Sequence, residues 1–163
     1  MQQQNGTKIK DSVIFIRKAK REDLPEVLNL VKELAIYEKE PDAVTASIEE
    51  YQELFDQGWY EGLLAISEDK IIGIAIYYKT FSTWKGKMLY LEDLVVTQSL
   101  RSKGVGQKLF DEVLKTAKDI GCALLKWQVL DWNDPAIKFY EKNKAIIEKE
   151  WWNGKIILDD SKY

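Results

Sequence analysis

The stretch from Leu89 to Gly121 constrains this chain most. Leu89-Tyr90-Leu91-Glu92-Asp93-Leu94-Val95-Val96 reads as a buried strand, and Thr97 to Leu100 as a turn. Arg101-Ser102-Lys103-Gly104-Val105-Gly106 then leads into a long amphipathic helix. That helix carries Val105, Leu109, Val113, Ala117 and Ile120 on one side, with Lys108, Asp111, Glu112, Lys115 and Lys118 largely on the other. Gly121 stops it, and Ala123 to Leu130 reads as the next strand. Strand, helix, strand in this order requires a crossover, so the two strands are expected to be parallel and the crossover right-handed. Glycines in the turn let the backbone approach an anion, and the helix behind it aims unpaired N–H groups and a positive dipole end at the same point. Arg101 and Lys103 add charge. The same glycines would also suit a merely tight turn.

Around this unit the chain reads as follows. Val13 to Ile16 is a strand rich in β-branched and aromatic residues. Acidic residues and Pro25 open a helix that presents Leu24, Val27, Leu28, Val31, Leu34 and Ala35 at helical spacing and ends before Pro41. A second helix runs from Thr45 to Gln57, with Ser47 as its cap and Gly58 as its stop. Leu63 to Ile66 and Ile71 to Lys79 form a hairpin around Ser67 to Lys70, and Thr80 to Lys87 is a loop containing Trp84. After Leu130, Asn133 or Asp134 caps a short helix with Pro135 in its first turn and Tyr140 further along. Two last strands, Ala145 to Trp152 and Lys155 to Leu158, are expected around Asn153-Gly154, a strong hairpin dipeptide.

Composition narrows the chemistry. The 163 residues suggest one domain over residues 11–163, behind a flexible leader over residues 1–10. A net charge of -3 argues against a nucleic-acid surface, and no apolar run is long enough for a membrane span. Cys122 is the only cysteine, which fits a reducing, cytoplasmic setting and reads as a core residue. The chain has no histidine, which removes a Ser-His-Asp triad, a histidine base and histidine metal ligands. Catalysis must then rest on carboxylates, Tyr, Lys or backbone dipoles. The glycine turn lacks the Gly-Lys-Ser/Thr ending of a nucleoside-triphosphate loop and the third glycine of a dinucleotide fingerprint.

Three further features could carry chemistry. Glu92 and Asp93 interrupt an apolar strand; neighbours on a strand point to opposite faces, so one should face a cleft unless the pair ends in a salt bridge. Asn133 and Tyr140 lie two helical turns apart, on one side of the short helix. Tyr140 could donate a proton or simply pack in the core. The Trp84 segment, Thr83 to Lys87, reads as a surface hairpin loop.

Taken together, Arg101-x-x-Gly104-x-Gly106 and Asn133-x-x-Ala136-x-x-Phe139-Tyr140 resemble the two acetyl-CoA segments of the GCN5-related N-acetyltransferase (GNAT) superfamily. The likeness runs from about Ile14 to Leu158. Within the superfamily the chain is most similar to the diamine group, the spermidine/spermine and thialysine N-acetyltransferases. Leu34-Ala35-x-Tyr37-Glu38, Tyr77-Tyr78, Ser82 to Lys87, Tyr90 to Asp93 and Val129 to Asn133 carry that likeness. The resemblance implies an α/β (α+β) fold with a mixed, mostly antiparallel central sheet of six to seven strands and helices on both faces.

It also implies acetyl transfer from acetyl-CoA, without a metal, directly to a primary amine of a small molecule such as a diamine, polyamine or thialysine-like amino acid. Another amine (an amino acid or a peptide N-terminus) and a non-catalytic acyl-CoA-binding module are the alternatives. Leu94, Val95 and Val96 would hold the pantetheine arm, with the Leu94 N–H polarising the thioester carbonyl. Arg101, Ser102, Lys103, Gly104, Val105, Gly106 and Gln107 would bind the pyrophosphate, and Asn133 would contact the cofactor. Tyr140, also a cofactor contact, would protonate the departing thiolate. Glu92 would hold the ammonium and take its proton through water; Tyr37, Glu38, Trp84 and Asp93 would complete the amine site. A homodimer is implied as well. Three departures stand out. Ser102 and Lys144 replace glycines found in many members, with Asn143 expected to take the second turn, and residues 148–153 do not align cleanly with the diamine group.

Overall fold

The computed structural model describes residues 13–162 of the chain; the leader expected over residues 1–10 lies outside the described residues. The strands are β1 (Phe15–Lys18), β2 (Glu61–Ser67), β3 (Lys70–Ser82), β4 (Gly86–Val96) and β5 (Leu124–Lys126). The helices are α1 (Leu24–Tyr37), α2 (Ile48–Asp56), α3 (Val105–Asp119) and α4 (Asp134–Lys142). The strands form one sheet in the order β1-β2-β3-β4-β5, antiparallel throughout except for the parallel β4–β5 pair. The mixed, mostly antiparallel α/β architecture thus matches expectation.

Helices cover both faces because the strand side chains alternate. Leu63, Ala65, Ala75, Tyr77, Leu89 and Leu91 pack with Val105, Leu109, Phe110 and Val113 of α3. Leu64, Ile66, Ile74, Ile76 and Val95 pack on the other face with Leu24, Val27 and Leu30 of α1. α2 starts with a full capping box, in which Ser47 and Glu50 satisfy each other's backbone N–H.

Among the described residues the sheet has five strands, not six to seven. The expected strands at Ala145–Trp152 and Lys155–Leu158 do not form. A two-residue Asn-Gly hairpin of the favoured kind needs positive φ at both turn residues, and neither Asn153 nor Gly154 adopts it. Without a ladder partner, Ile146, Trp151, Trp152, Ile156 and Leu158 stay exposed.

β5 is also shorter than the expected Ala123–Leu130. It pairs with β4 only at Met88, Leu89 and Tyr90. From Leu91 to Val96 the β5-facing edge of β4 is therefore unpaired, and the two strands part there. Between β3 and β4 the register slips: Ile76 faces Asp93 while Tyr77 faces Leu91, which leaves Glu92 as an extra residue in a β-bulge.

Candidate active site

The turn between β4 and α3 is an open cradle. Gly104 sits at the helix N-cap with φ 81°, a left-handed conformation that glycine adopts without strain. A Cβ there would meet nothing within 4 Å. The N–H groups of Val105, Gly106 and Gln107 have no acceptor among the described residues, so they and the helix dipole remain available to an anion. Ser102 takes φ 62°, so this serine adopts the conformation a glycine would hold. Lys144 behaves the same way at φ 63°, whereas Asn143 stays at φ -84°. Asn143 does not take that turn. Its amide instead exchanges hydrogen bonds with the Gln107 amide, at 2.7 and 3.1 Å, tying α4 to the first turn of α3.

Arg101 points back along the strand rather than into solvent. Its Nε donates to the Val96 carbonyl at 3.1 Å, and its guanidinium lies 4.6 Å over the Tyr37 ring. Tyr37 sits at the end of α1, donates to Asn133 Oδ1 at 3.4 Å, and packs 6.1 Å from the Trp132 ring. Asn133 is buried and caps α4, accepting from the Ala136 N–H at 3.3 Å. It therefore precedes the helix that holds Tyr140 instead of sharing its side. Tyr37 is thus a joint between the turn and the Trp132–Asn133 segment.

Tyr140 is buried in an aromatic nest, with ring centroids 4.7 Å from Trp127, 5.3 Å from Phe139 and 5.7 Å from Phe110. Burial, then the charges of Glu38 and Asp93, push its pKa up to about 12. The phenol is therefore fully protonated at neutral pH. Burial also raises the Glu38 carboxyl.

On the α1–α2 face lies a cavity of about 250 Å³, lined by Ala46, Tyr51, Leu54, Trp59, Tyr60, Ile76, Tyr78, Glu92 and Asp93. Both carboxylates reach it. The expectation that they point to opposite faces fails because the bulge at Glu92 resets the alternation, so Asp93 joins Ile76 and Val95 on the α1 side. Glu92 is exposed and accepts from the Tyr78 hydroxyl at 3.1 Å; Tyr78 stacks on Tyr90 at 5.2 Å. Asp93 is more sheltered. Burial, then the charges of Glu92 and Glu38, raise its pKa to about 7.

The aromatic wall of Tyr51, Trp59, Tyr60 and Tyr78 was not anticipated as a site. Its one sequence signal was the density of aromatics between residues 51 and 60 beside a short amphipathic helix. Trp84 does not join the cavity: it stands 82% exposed at the tip of the β3–β4 hairpin. Tyr37 and Glu38 do not line it either, although the Glu38 charge reaches Asp93.

Comparison with known proteins agrees with the fold. Residues 24–144 match the Acetyltransferase (GNAT) family. A thialysine N-epsilon-acetyltransferase from Bos taurus is 37% identical over 152 residues, covering 86% of this chain and 89% of the relative. A human spermidine/spermine N(1)-acetyltransferase-like protein 1 is 33% identical over 149 residues, covering 85% of this chain and 21% of that longer protein. A crystal structure of the aminoglycoside acetyltransferase meta-AAC0020 from a soil metagenome superposes with TM-score 0.76 at 22% identity, covering 90% of this chain and 97% of the other. The chain belongs to the GNAT family, and its likeness is to the family's diamine group. It is an acetyl-CoA-dependent N-acetyltransferase.

Proposed function

We propose that the chain acetylates a primary amine of a small molecule, with a diamine, polyamine or thialysine-like amino acid as the preferred class. The observation that supports this reading is one strand, β4, that carries two cavity-lining carboxylates, parts from β5 and leads into a helix start with free N–H groups. The cavity wall is aromatic and aliphatic apart from Glu92 and Asp93, which suits an alkyl chain with an ammonium at its end. The thialysine relatives favour the same class.

The residues fit acetyl-CoA in three places. The free N–H groups at the start of α3, with Arg101, Ser102, Lys103 and Gly104 before them, would hold the pyrophosphate. The unpaired edge of β4 at Leu94, Val95 and Val96 would receive the pantetheine arm, and the Leu94 N–H would steady the oxyanion that forms on attack. The Val96 carbonyl already accepts from Arg101, so the arm would use the remaining backbone groups. Asn133, a buried cap, would contact the cofactor near Tyr140. Bound there, acetyl-CoA supplies the thioester carbonyl.

Glu92 gathers the ammonium, and the neutral amine attacks directly, with no covalent enzyme intermediate. Tyr140 then gives its proton to the leaving thiolate. Since its phenol is a weak acid, it is restored by the acidic N–H of the newly acylated nitrogen. A cytoplasmic homodimer belongs to the same reading. The exposed Trp151, Trp152 and Leu158 support a second copy as the cover of that segment.

The experiment is a CoA-release assay over lysine, thialysine, ornithine, putrescine, spermidine and spermine. Selective turnover of one or two is expected; a flat response across all six would sink the diamine reading.

A further inference from the structure

The two adjacent carboxylates of β4 share one cavity but not one environment. Glu92 is the bulged residue; it is exposed and bound by the Tyr78 hydroxyl at 3.1 Å. A carboxylate anchored by a hydroxyl at the open rim of the cavity is placed to hold a cation. Asp93 is the residue after the bulge, where the strand has turned its side chains back toward α1. It lines the same cavity, and among the described residues no protein group donates a hydrogen bond to it. The ionisable groups that share its cavity or feel its charge are Glu38 at the end of α1, Tyr51 on α2, Tyr60 after α2, Tyr78 on β3, Glu92 beside it, and Tyr140 on α4. None of these is a cation.

We infer that Asp93, and not Glu92, takes the proton from the substrate ammonium, while Glu92 holds the cation. This rests on the amine reading above. It reassigns the base and joins it to the acid. The raised affinity of Asp93 for protons agrees with the geometry, since a base with its pKa near the working pH is ionised often enough to act and basic enough to succeed.

One N–H bond of the ammonium breaks, and its proton goes to an Asp93 oxygen. The free nitrogen pair forms the N–C bond to the acetyl carbon. The C–S bond breaks, and its electron pair leaves on sulfur, which takes the Tyr140 proton. The acylated nitrogen returns a proton to the Tyr140 oxygen, and Asp93 releases its own to solvent. Amine cation and thioester become amide, thiol and one proton.

The Asp93 charge also reaches Tyr140, where it follows burial and the Glu38 charge as a cause of the raised pKa.

The test compares kcat/KM against pH for wild type, D93N, D93E and E92Q, with the best amine of the panel, together with acetyl-CoA binding by tryptophan fluorescence. Wild type should lose activity tenfold per pH unit below about 7. D93N should lower kcat by about 10²- to 10³-fold with acetyl-CoA affinity and amine KM near wild type, and its acidic limb should move toward the pKa of the free amine. E92Q should raise the amine KM and keep the wild-type limb. D93E keeps the carboxylate on a longer arm and should keep a limb with kcat lowered at least about tenfold, so the assignment is decided even if D93N folds poorly. A limb that survives in D93N and vanishes in E92Q would overturn the assignment while leaving the amine reading intact. Amine-independent CoA release by wild type would remove both.

Discussion

The Arg101 guanidinium rests over the Tyr37 ring, 4.6 Å from its centroid, and joins the glycine turn before α3 to the end of α1. Tyr37 also donates to Asn133 Oδ1, so three separate chain segments meet on one side chain. In the proposed reading Tyr37 would therefore serve the cofactor side as well as the amine side. Tyr37→Ala should raise the KM for acetyl-CoA and for the amine together, each by about two- to fivefold, because a stacked cation contributes roughly 0.5–1 kcal/mol when partly exposed. Tyr37→Phe keeps the ring and should shift acetyl-CoA KM less than about threefold. Steady-state kinetics with each substrate varied in turn checks this, and an effect confined to the amine would contradict the joint.

Ser102 and Lys144 hold positive φ values of 62° and 63° without being glycines. A left-handed backbone costs an L-residue about 1–2 kcal/mol, and glycine's extra freedom in the unfolded chain returns part of the relief. Ser102→Gly and Lys144→Gly should each stabilise the fold by about 0.5–1 kcal/mol, or roughly 1–4 °C in Tm for a chain of this size. Scanning calorimetry reads this directly. A fall in Tm for both would mean that the side chains make contacts outweighing the strain.

Tyr140 sits among three aromatic rings with its phenol protonated. Tyr140→Phe keeps the packing and removes the proton. We expect kcat to fall by about 10²- to 10³-fold, with acetyl-CoA binding and Tm close to wild type. Unchanged turnover would remove the general-acid role.

Much of this was legible because it depends on short-range rules. The apolar spacing of α1 and α3, the capping box of α2 and the Gly104 turn each follow from neighbours in sequence. The site was half legible. The turn and Tyr140 lie on regular elements, so spacing finds them. The cavity does not, because it depends on how α2 and the Trp59–Tyr60 segment settle on the sheet. Glu92 and Asp93 misled for a specific reason: alternation holds only while the register holds, and a bulge decided by pairing with β3 moved both to one face. The closing strands misled in a similar way. Asn153-Gly154 favours a hairpin, but a hairpin also needs a ladder partner to stabilise it, and the segment stays exposed.

Asp93 links the site to stability, with a sign opposite to that of most carboxylates. Its folded pKa, about 7, lies above the ordinary value of 3.8, because burial and two like charges disfavour its anion. The folded state therefore binds the proton more tightly than the unfolded chain. The cost is absent below about pH 4, grows between about pH 4 and 7, and is complete above that. Asp93→Asn, neutral at every pH, should raise stability at pH 8 by an amount on the order of 2–4 kcal/mol and change it little at pH 4. Asp23 supplies an internal contrast: its two hydrogen bonds from Arg17, at 2.7 and 2.8 Å, lower its pKa. Its stabilisation is present above the ordinary carboxylate range and lost as pH falls through the lowered folded value. Asp23→Asn should therefore destabilise at pH 7 and converge with wild type in acid. Urea unfolding of both variants at pH 4 and 8 tests the pair. If Asp93→Asn destabilises at pH 8, its carboxylate has a partner in the folded state and the strain assigned to this position is wrong.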